Sequence, residues 1–157
     1  MPIHLSIPGQ PTVPCRRFEH RVHAEITKDR RATDPRVPGR SRHEDLQITR
    51  EVDALTPFLC GACASGARIE AVQLDIERHL QDDAPDGPPD AAADRAPVLA
   101  DRHLRIRLED VLVTSALLSQ DGGPPLETVS LSYGTIHWEW ITETTTRATW
   151  AVYGPGA

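Results

Sequence analysis

Glu127-Thr128-Val129-Ser130-Leu131-Ser132-Tyr133-Gly134-Thr135-Ile136-His137-Trp138 reads as a long strand with a break at Gly134. Val129, Leu131 and Tyr133 share one alternating phase; Ile136, Trp138 and Trp140 occupy the other. A second apolar run repeats the slip. Leu104, Ile106 and Leu108 alternate, then the phase moves at Glu109-Asp110 to Val111 and Val113. A one-residue slip inside an apolar strand predicts a β-bulge. Long, bulged strands curl a sheet, so the pattern predicts a mainly β fold closed as an antiparallel barrel rather than a flat sheet.

His43-Glu44-Asp45-Leu46-Gln47-Ile48-Thr49-Arg50-Glu51-Val52-Asp53-Ala54-Leu55-Thr56-Pro57 runs a strand into a helix. Leu46, Ile48 and Val52 carry the strand. Asp53 stands at the capping position and Pro57 in the first turn, where its missing N–H costs nothing. Phe58, Leu59, Ala62 and Cys63 have helical spacing, and Gly66 closes the run as a C-terminal cap. The prediction is one flanking helix over 54–65.

Elsewhere Ile3, Leu5 and Ile7 alternate into the turn Pro8-Gly9, and Phe18 to Ile26 forms a half-buried strand whose apolar side His20 interrupts. Residues 28–42 hold two prolines, a glycine, five arginines and Lys28, which predicts a long basic loop. Ile69 to Ile76 returns to period two. Residues 81–102 are acidic and low in complexity, which predicts a flexible insertion. The last strand is expected near 147–153. The sum is seven or eight strands and one helix in a single domain spanning 1–157, without internal repeat.

The formal net charge is −6, too mild to draw a nucleic acid. Its distribution is uneven. Residues 1–52 carry ten Lys/Arg against seven Asp/Glu, and residues 53–157 carry seven against sixteen. Copies could meet head to tail on that polarity; an unremarkable imbalance of solvated loops is the other reading. No apolar run reaches the length of a membrane span. Met1-Pro2-Ile3-His4-Leu5 lacks a charged and then apolar leader, so no signal peptide is expected there. Synthesis is expected to leave the protein in the cytoplasm, and any export would need a route that reads the folded protein.

The chemistry-bearing residues read mostly as structure. Cys60-Gly61-Ala62-Cys63 lies in the second half of the predicted helix, whereas a redox pair belongs at a helix N-terminus that lowers a thiol pKa. Cys15, His20, His23 and His43 match no common zinc spacing. Glu109-Asp110 has no nucleophile or phosphate loop beside it. No catalytic, cofactor or metal site is therefore expected. Trp138 and Trp140 share a strand face and read as barrel core for at least one of them, or as a sticky patch for a partner. In the basic segment Arg30, Arg31, Arg36, Arg40 and Arg42 stand without interleaved aromatics, against nucleic-acid binding. Contact with the acidic part of a neighbouring copy and a plain solvated loop both remain open for it.

Ile3 to Gly9, His43 to Pro57 with Leu59 and Gly66, Ile106 to Val113, Glu127 to Trp138 and Trp150 to Tyr153 together resemble the haemolysin-coregulated protein (Hcp) family, the inner-tube proteins of type VI secretion systems. The motif residues carrying the resemblance include Asp53, Pro57, Gly66, Glu109, Asp110, Tyr133, Gly134 and Trp138. After Gly9 this chain has Pro11-Thr12 where relatives often carry a second turn glycine. The resemblance implies a barrel with one flanking helix that forms hexameric rings with an open centre. It further implies stacking into a tube inside a sheath, beneath a spike, with small effector proteins held in the lumen. A ring or monomer that carries an effector without building tubes is the second reading, and a thiol enzyme on Cys60 and Cys63 the third.

Overall fold

The computed structural model describes residues 2–28, 33, 36–78, 102–142 and 144–152. Eleven strands and one helix occupy these residues, in the order β1 (Ile3–Ser6), β2 (Val13–Cys15), β3 (Arg17–Glu19), β4 (Val22–Lys28), β5 (Arg36–His43), β6 (Leu46–Glu51), α1 (Thr56–Ser65), β7 (Arg68–Arg78), β8 (Arg102–Ser119), β9 (Leu126–Ser132), β10 (Thr135–Ile141) and β11 (Thr145–Ala151). Nine strands form one antiparallel sheet, seven of them along the path β2-β1-β7-β8-β9-β6-β3. The long β8 carries two partners along one edge, β9 beyond the slip and β10 before it, and β11 extends β10.

The class is the mainly β, barrel-like one expected, although its ladder is not a closed ring of hydrogen bonds. The two ends of the path, β2 and β3, are separated in the chain by Arg16 alone. The Arg16 N–H donates to the Thr49 carbonyl of β6 at 2.9 Å, which draws the ends together. Inside lies a core containing Leu5, Ile48, Leu74, Leu108, Leu131 and Ile136. Leu55, Leu59 and Ala62 seat α1 on it. Burial of such side chains at roughly 1.5–3 kcal/mol each is the main stabilising contribution.

The phase slip crosses the sheet as a line. In β7 burial jumps from Ile69 to Val72, and in β8 from Leu108 to Val111. The pairs Ile69↔Val111 and Val72↔Leu108 nevertheless hold one register. On the other edge Leu112↔Ser132 and Thr135↔Glu109 also hold one register across the break. Neighbouring strands slip together, so no extra residue is inserted at Glu109-Asp110, contrary to the bulge expected there. The bulge of β8 lies further on, between Val113 and Ser115.

Two further expectations change. Within the expected loop, residues 36–42 are strand: β5 pairs with β4 from Val22↔His43 to Lys28↔Arg36, making a separate two-stranded hairpin, while residues 29–32, 34 and 35 lie outside the described residues. Pro38 and Gly39 hid the strand, but an edge strand tolerates a proline because its outer N–H needs no partner. Gly39 fits because a Cβ there would meet the Glu25 carbonyl oxygen at 2.6 Å. The expected strand 18–26 is two strands, broken at His20-Arg21. The acidic segment 81–102 lies outside the described residues, except that Arg102 opens β8.

Candidate functional site

Two junctions fasten elements to the barrel. The first joins α1. Arg50 on β6 stands opposite Glu127 on β9, and both side chains are 0% exposed. Arg50 Nη2 lies 2.8 Å from Glu127 Oε2, and Arg50 Nη1 lies 2.8 Å from Asp53 Oδ2. The Thr56 hydroxyl accepts from Arg50 Nη2 at 3.2 Å and from the Asp53 N–H at 3.1 Å, and donates to Glu127 at 3.3 Å. One hydrogen and two lone pairs are thereby used. Asp53 Oδ1 also accepts the Leu55 N–H at 2.8 Å, which satisfies a backbone donor ahead of Thr56, and Pro57 follows within the first turn. Partial desolvation of Asp53 opposes its ionisation, but Arg50 and the Leu55 N–H outweigh it and hold the carboxyl below its usual range. At the other end Gly66, with φ of 68°, turns the chain in a left-handed cap.

Cys60 and Cys63 are half-buried free thiols on this helix. Cys60 Sγ lies 3.8 Å from Glu127 Oε1. Burial and then the Glu127 charge push its pKa up, which works against a thiolate nucleophile. Burial pushes the Cys15 thiol up to about 11. Among the described residues no three His, Cys, Asp or Glu come together to hold a metal.

The second junction joins the β4–β5 hairpin. Every residue of β4 is exposed, and in β5 only Ser41 and His43 are half-buried, so the hairpin stands off the barrel. Its two roots carry His20 and His43. His20 Nε2 lies 2.7 Å and His43 Nδ1 2.9 Å from the same Tyr133 hydroxyl. Tyr133 sits between β9 and β10 at 4% exposure. Trp138 lies against both imidazoles, and Trp150 of β11 stacks on His43 with 6.2 Å between ring centroids and 15° between planes. Burial lowers the pKa of both histidines, the neighbouring His43 adding to the effect on His20 against a smaller pull from Glu44. Burial, then the Asp45 charge, raises that of Tyr133.

Of the basic residues singled out by sequence, Arg36, Arg40 and Arg42 lie on β5, and Arg30 and Arg31 fall outside the described residues. Arg42 pairs with Glu25 across the hairpin at 3.2 Å. Ile26 is 62% exposed nearby, with Val22 and Val37 also exposed. Glu109 pairs with Arg107 and His137, and Asp110 with Arg68. Asp110 has φ of 54°, a left-handed conformation that aspartate tolerates better than most residues. The Gly134 N–H reaches the carbonyls of Glu109 and Asp110 at 3.0 and 3.2 Å. A Cβ on Gly134 would come within 3.2 Å of the Asp110 side chain, so the close approach explains the glycine. Trp138 packs against the core while Trp140 is exposed.

Sequence reasoning passed over Arg50, Glu127, His43 as a partner of Tyr133, and Trp150 as its stacking face. A charge inside an alternating apolar strand was the available signal for Arg50. His20, read only as an interruption of an apolar face, was the signal for the second junction.

The family described as "Type VI secretion system effector, Hcp" matches residues 10–140. No curated protein matches the chain. Among solved structures, a crystal structure of Hcp protein is 19% identical, with a TM-score of 0.69, covering 96% of this chain and 99% of the other. A mutant Hcp1 from E. coli EAEC 042 is 18% identical, with a TM-score of 0.68 and coverage of 98% and 99%. The secreted protein Hcp3 from Pseudomonas aeruginosa is 19% identical, with a TM-score of 0.60 and coverage of 95% and 97%. At these identities the structures speak for the fold.

Proposed function

Because this chain belongs to the Hcp family of type VI secretion proteins, we propose that it is the structural tube subunit of such an apparatus. Six copies close into a ring with an open centre, and rings stack into an inner tube that a sheath surrounds, a spike caps and contraction expels. Small effector proteins travel in the lumen. The family match over most of the chain carries the reading.

Physical features support it. A ring is a heterologous interface whose rotation closes, and stacking repeats along its axis. The sheet leaves β11 at an edge with all seven residues exposed, and an open edge calls for cover. The hairpin suits the stacking contact. From Val22 to His43 the chain carries six Lys/Arg against three Asp/Glu, while residues 53–157 are strongly acidic. Opposite fields on successive rings steer and register their approach. Assembly therefore proceeds in the cytoplasm, and secretion uses the apparatus itself.

Electron microscopy of the purified protein at moderate salt, with particle mass on the same sample, tests the proposal. Open rings with the mass of six chains are expected, and filaments at higher concentration. Reversing Arg36, Arg40 and Arg42 to glutamate should abolish filaments and leave rings intact. Rings that never stack in any condition would favour an effector carrier that builds no tube, and a monomer would overturn both.

A further inference from the structure

The hairpin is attached to the barrel through groups that titrate. Its strands are exposed except at Ser41 and His43 near the root. At its root the Glu44 N–H donates to the Arg21 carbonyl at 3.0 Å, and beyond that stand His20, His43 and the phenol they share. A phenol oxygen supplies one hydrogen and two acceptor sites. With both imidazoles neutral the arrangement closes without a spare proton: one ring nitrogen donates to the oxygen and the other accepts its hydrogen. Protonation of the accepting ring places a second N–H on the same oxygen. The phenol hydrogen then has no acceptor at that site.

We propose that His20, Tyr133 and His43 form a proton-operated hinge that holds the β4–β5 hairpin against the barrel when neutral and frees it when the accepting imidazole is protonated.

The surroundings set the direction. From β10 and β11 the pair meets Trp138 and Trp150, which carry no charge. From the link after β5 it faces Glu44 and Asp45, and Glu19 and Arg21 flank His20 in the chain. The acids are engaged elsewhere: Glu44 lies 3.8 Å from Arg21 and 4.0 Å from His23, Asp45 accepts from Thr114, and Glu19 pairs with Arg17. Arg42, next to His43, pairs with Glu25. Burial therefore prevails, and both imidazoles take a proton less readily in the folded state than in an unfolded chain. The sign follows. The contact is at full strength above the ordinary histidine value of 6.5 and is lost as pH falls through the lowered folded values. Stacking of His43 on Trp150 survives protonation, so release occurs at the phenol and the hairpin pivots rather than unfolds.

Hydrogen exchange of the full chain tests the hinge, with peptides covering 20–28 and 36–45 compared at about pH 8 and about pH 5 after correction for intrinsic rates. In the wild type, protection of these peptides should fall by roughly 2- to 10-fold at the lower pH, the loss of one ordinary hydrogen bond, while β7 peptides keep theirs. Tyr133→Phe should show the low protection at both values. His20→Gln with His43→Asn places amide groups near the two ring nitrogens without a titrating centre, and should abolish the pH response. Equal wild-type protection at both values would overturn the hinge. So would a wild-type pH response that survives in the double variant, since titration would then lie elsewhere. If circular dichroism shows Tyr133→Phe unfolded, the wild type and double variant decide alone. Exchange is read on samples whose particle mass shows no stacked rings at either pH, so contacts between rings on the hairpin do not enter the readout and the outcome is separate from the tube reading.

Discussion

The two junctions fasten comparable projections by opposite chemistry. The α1 junction uses permanent charges, Arg50 against Glu127, sealed from solvent and joined by Asp53 and Thr56. The hairpin junction uses a neutral phenol between two half-buried imidazoles. A sealed ion pair cannot be half broken: removing one partner strands a buried charge, so the site is either intact or the fold is in trouble. A shared phenol loses one hydrogen bond at a time, and each loss is small. The helix belongs to the core that must not move. The hairpin is held just firmly enough to have a preferred pose.

The contrast is sharpest in the α1 junction. Arg50→Met leaves Glu127 buried without its cation and should cost about 3–5 kcal/mol in urea unfolding. Combining it with Glu127→Leu should recover most of that loss. A single substitution that costs nothing would mean the pair does not lock the helix. At the hairpin, Gly39→Ala drives a Cβ into the Glu25 carbonyl oxygen. We expect local disruption of about 1–3 kcal/mol, seen as faster exchange of hairpin amides with little change in the global unfolding midpoint. A matching fall in that midpoint would show that hairpin and barrel unfold as one unit and would collapse the comparison. The smallest effect is expected from Arg42→Gln, which removes an exposed pair with Glu25; the unfolding midpoint should not move measurably.

Much of the barrel could be read directly. β1, β6, β7, β9 and β10 follow their alternating patterns, and the helix falls at 56–65 where 54–65 was expected. Pro57 and Gly66 are legible because helix ends are local events, fixed by backbone groups within a turn, whereas the cap expected at Asp53 falls at Leu55, whose N–H the Asp53 carboxylate accepts. The hairpin was not legible, since β5 contains Pro38 and Gly39 and buries no apolar face: a strand stabilised only by its partner leaves no hydrophobic period. β2 and β3 are three residues each, too short for a period. The slip at Gly134 was visible, but its nature was not. One strand's phase cannot tell an inserted residue from a step that all its neighbours take together, and only the registers of β7, β8, β9 and β10 distinguish them.

By itself the sequence determined which segments alternate, where the helix begins and ends, and the family to which the ordered set belongs, because each rests on interactions among residues close in the chain. The tertiary structure alone decided that Arg50 stands opposite Glu127 and that His20 and His43, 113 and 90 residues from Tyr133, converge on one hydroxyl. Those meetings depend on ladder register between distant strands, which the summed burial of the whole barrel fixes and no local pattern records.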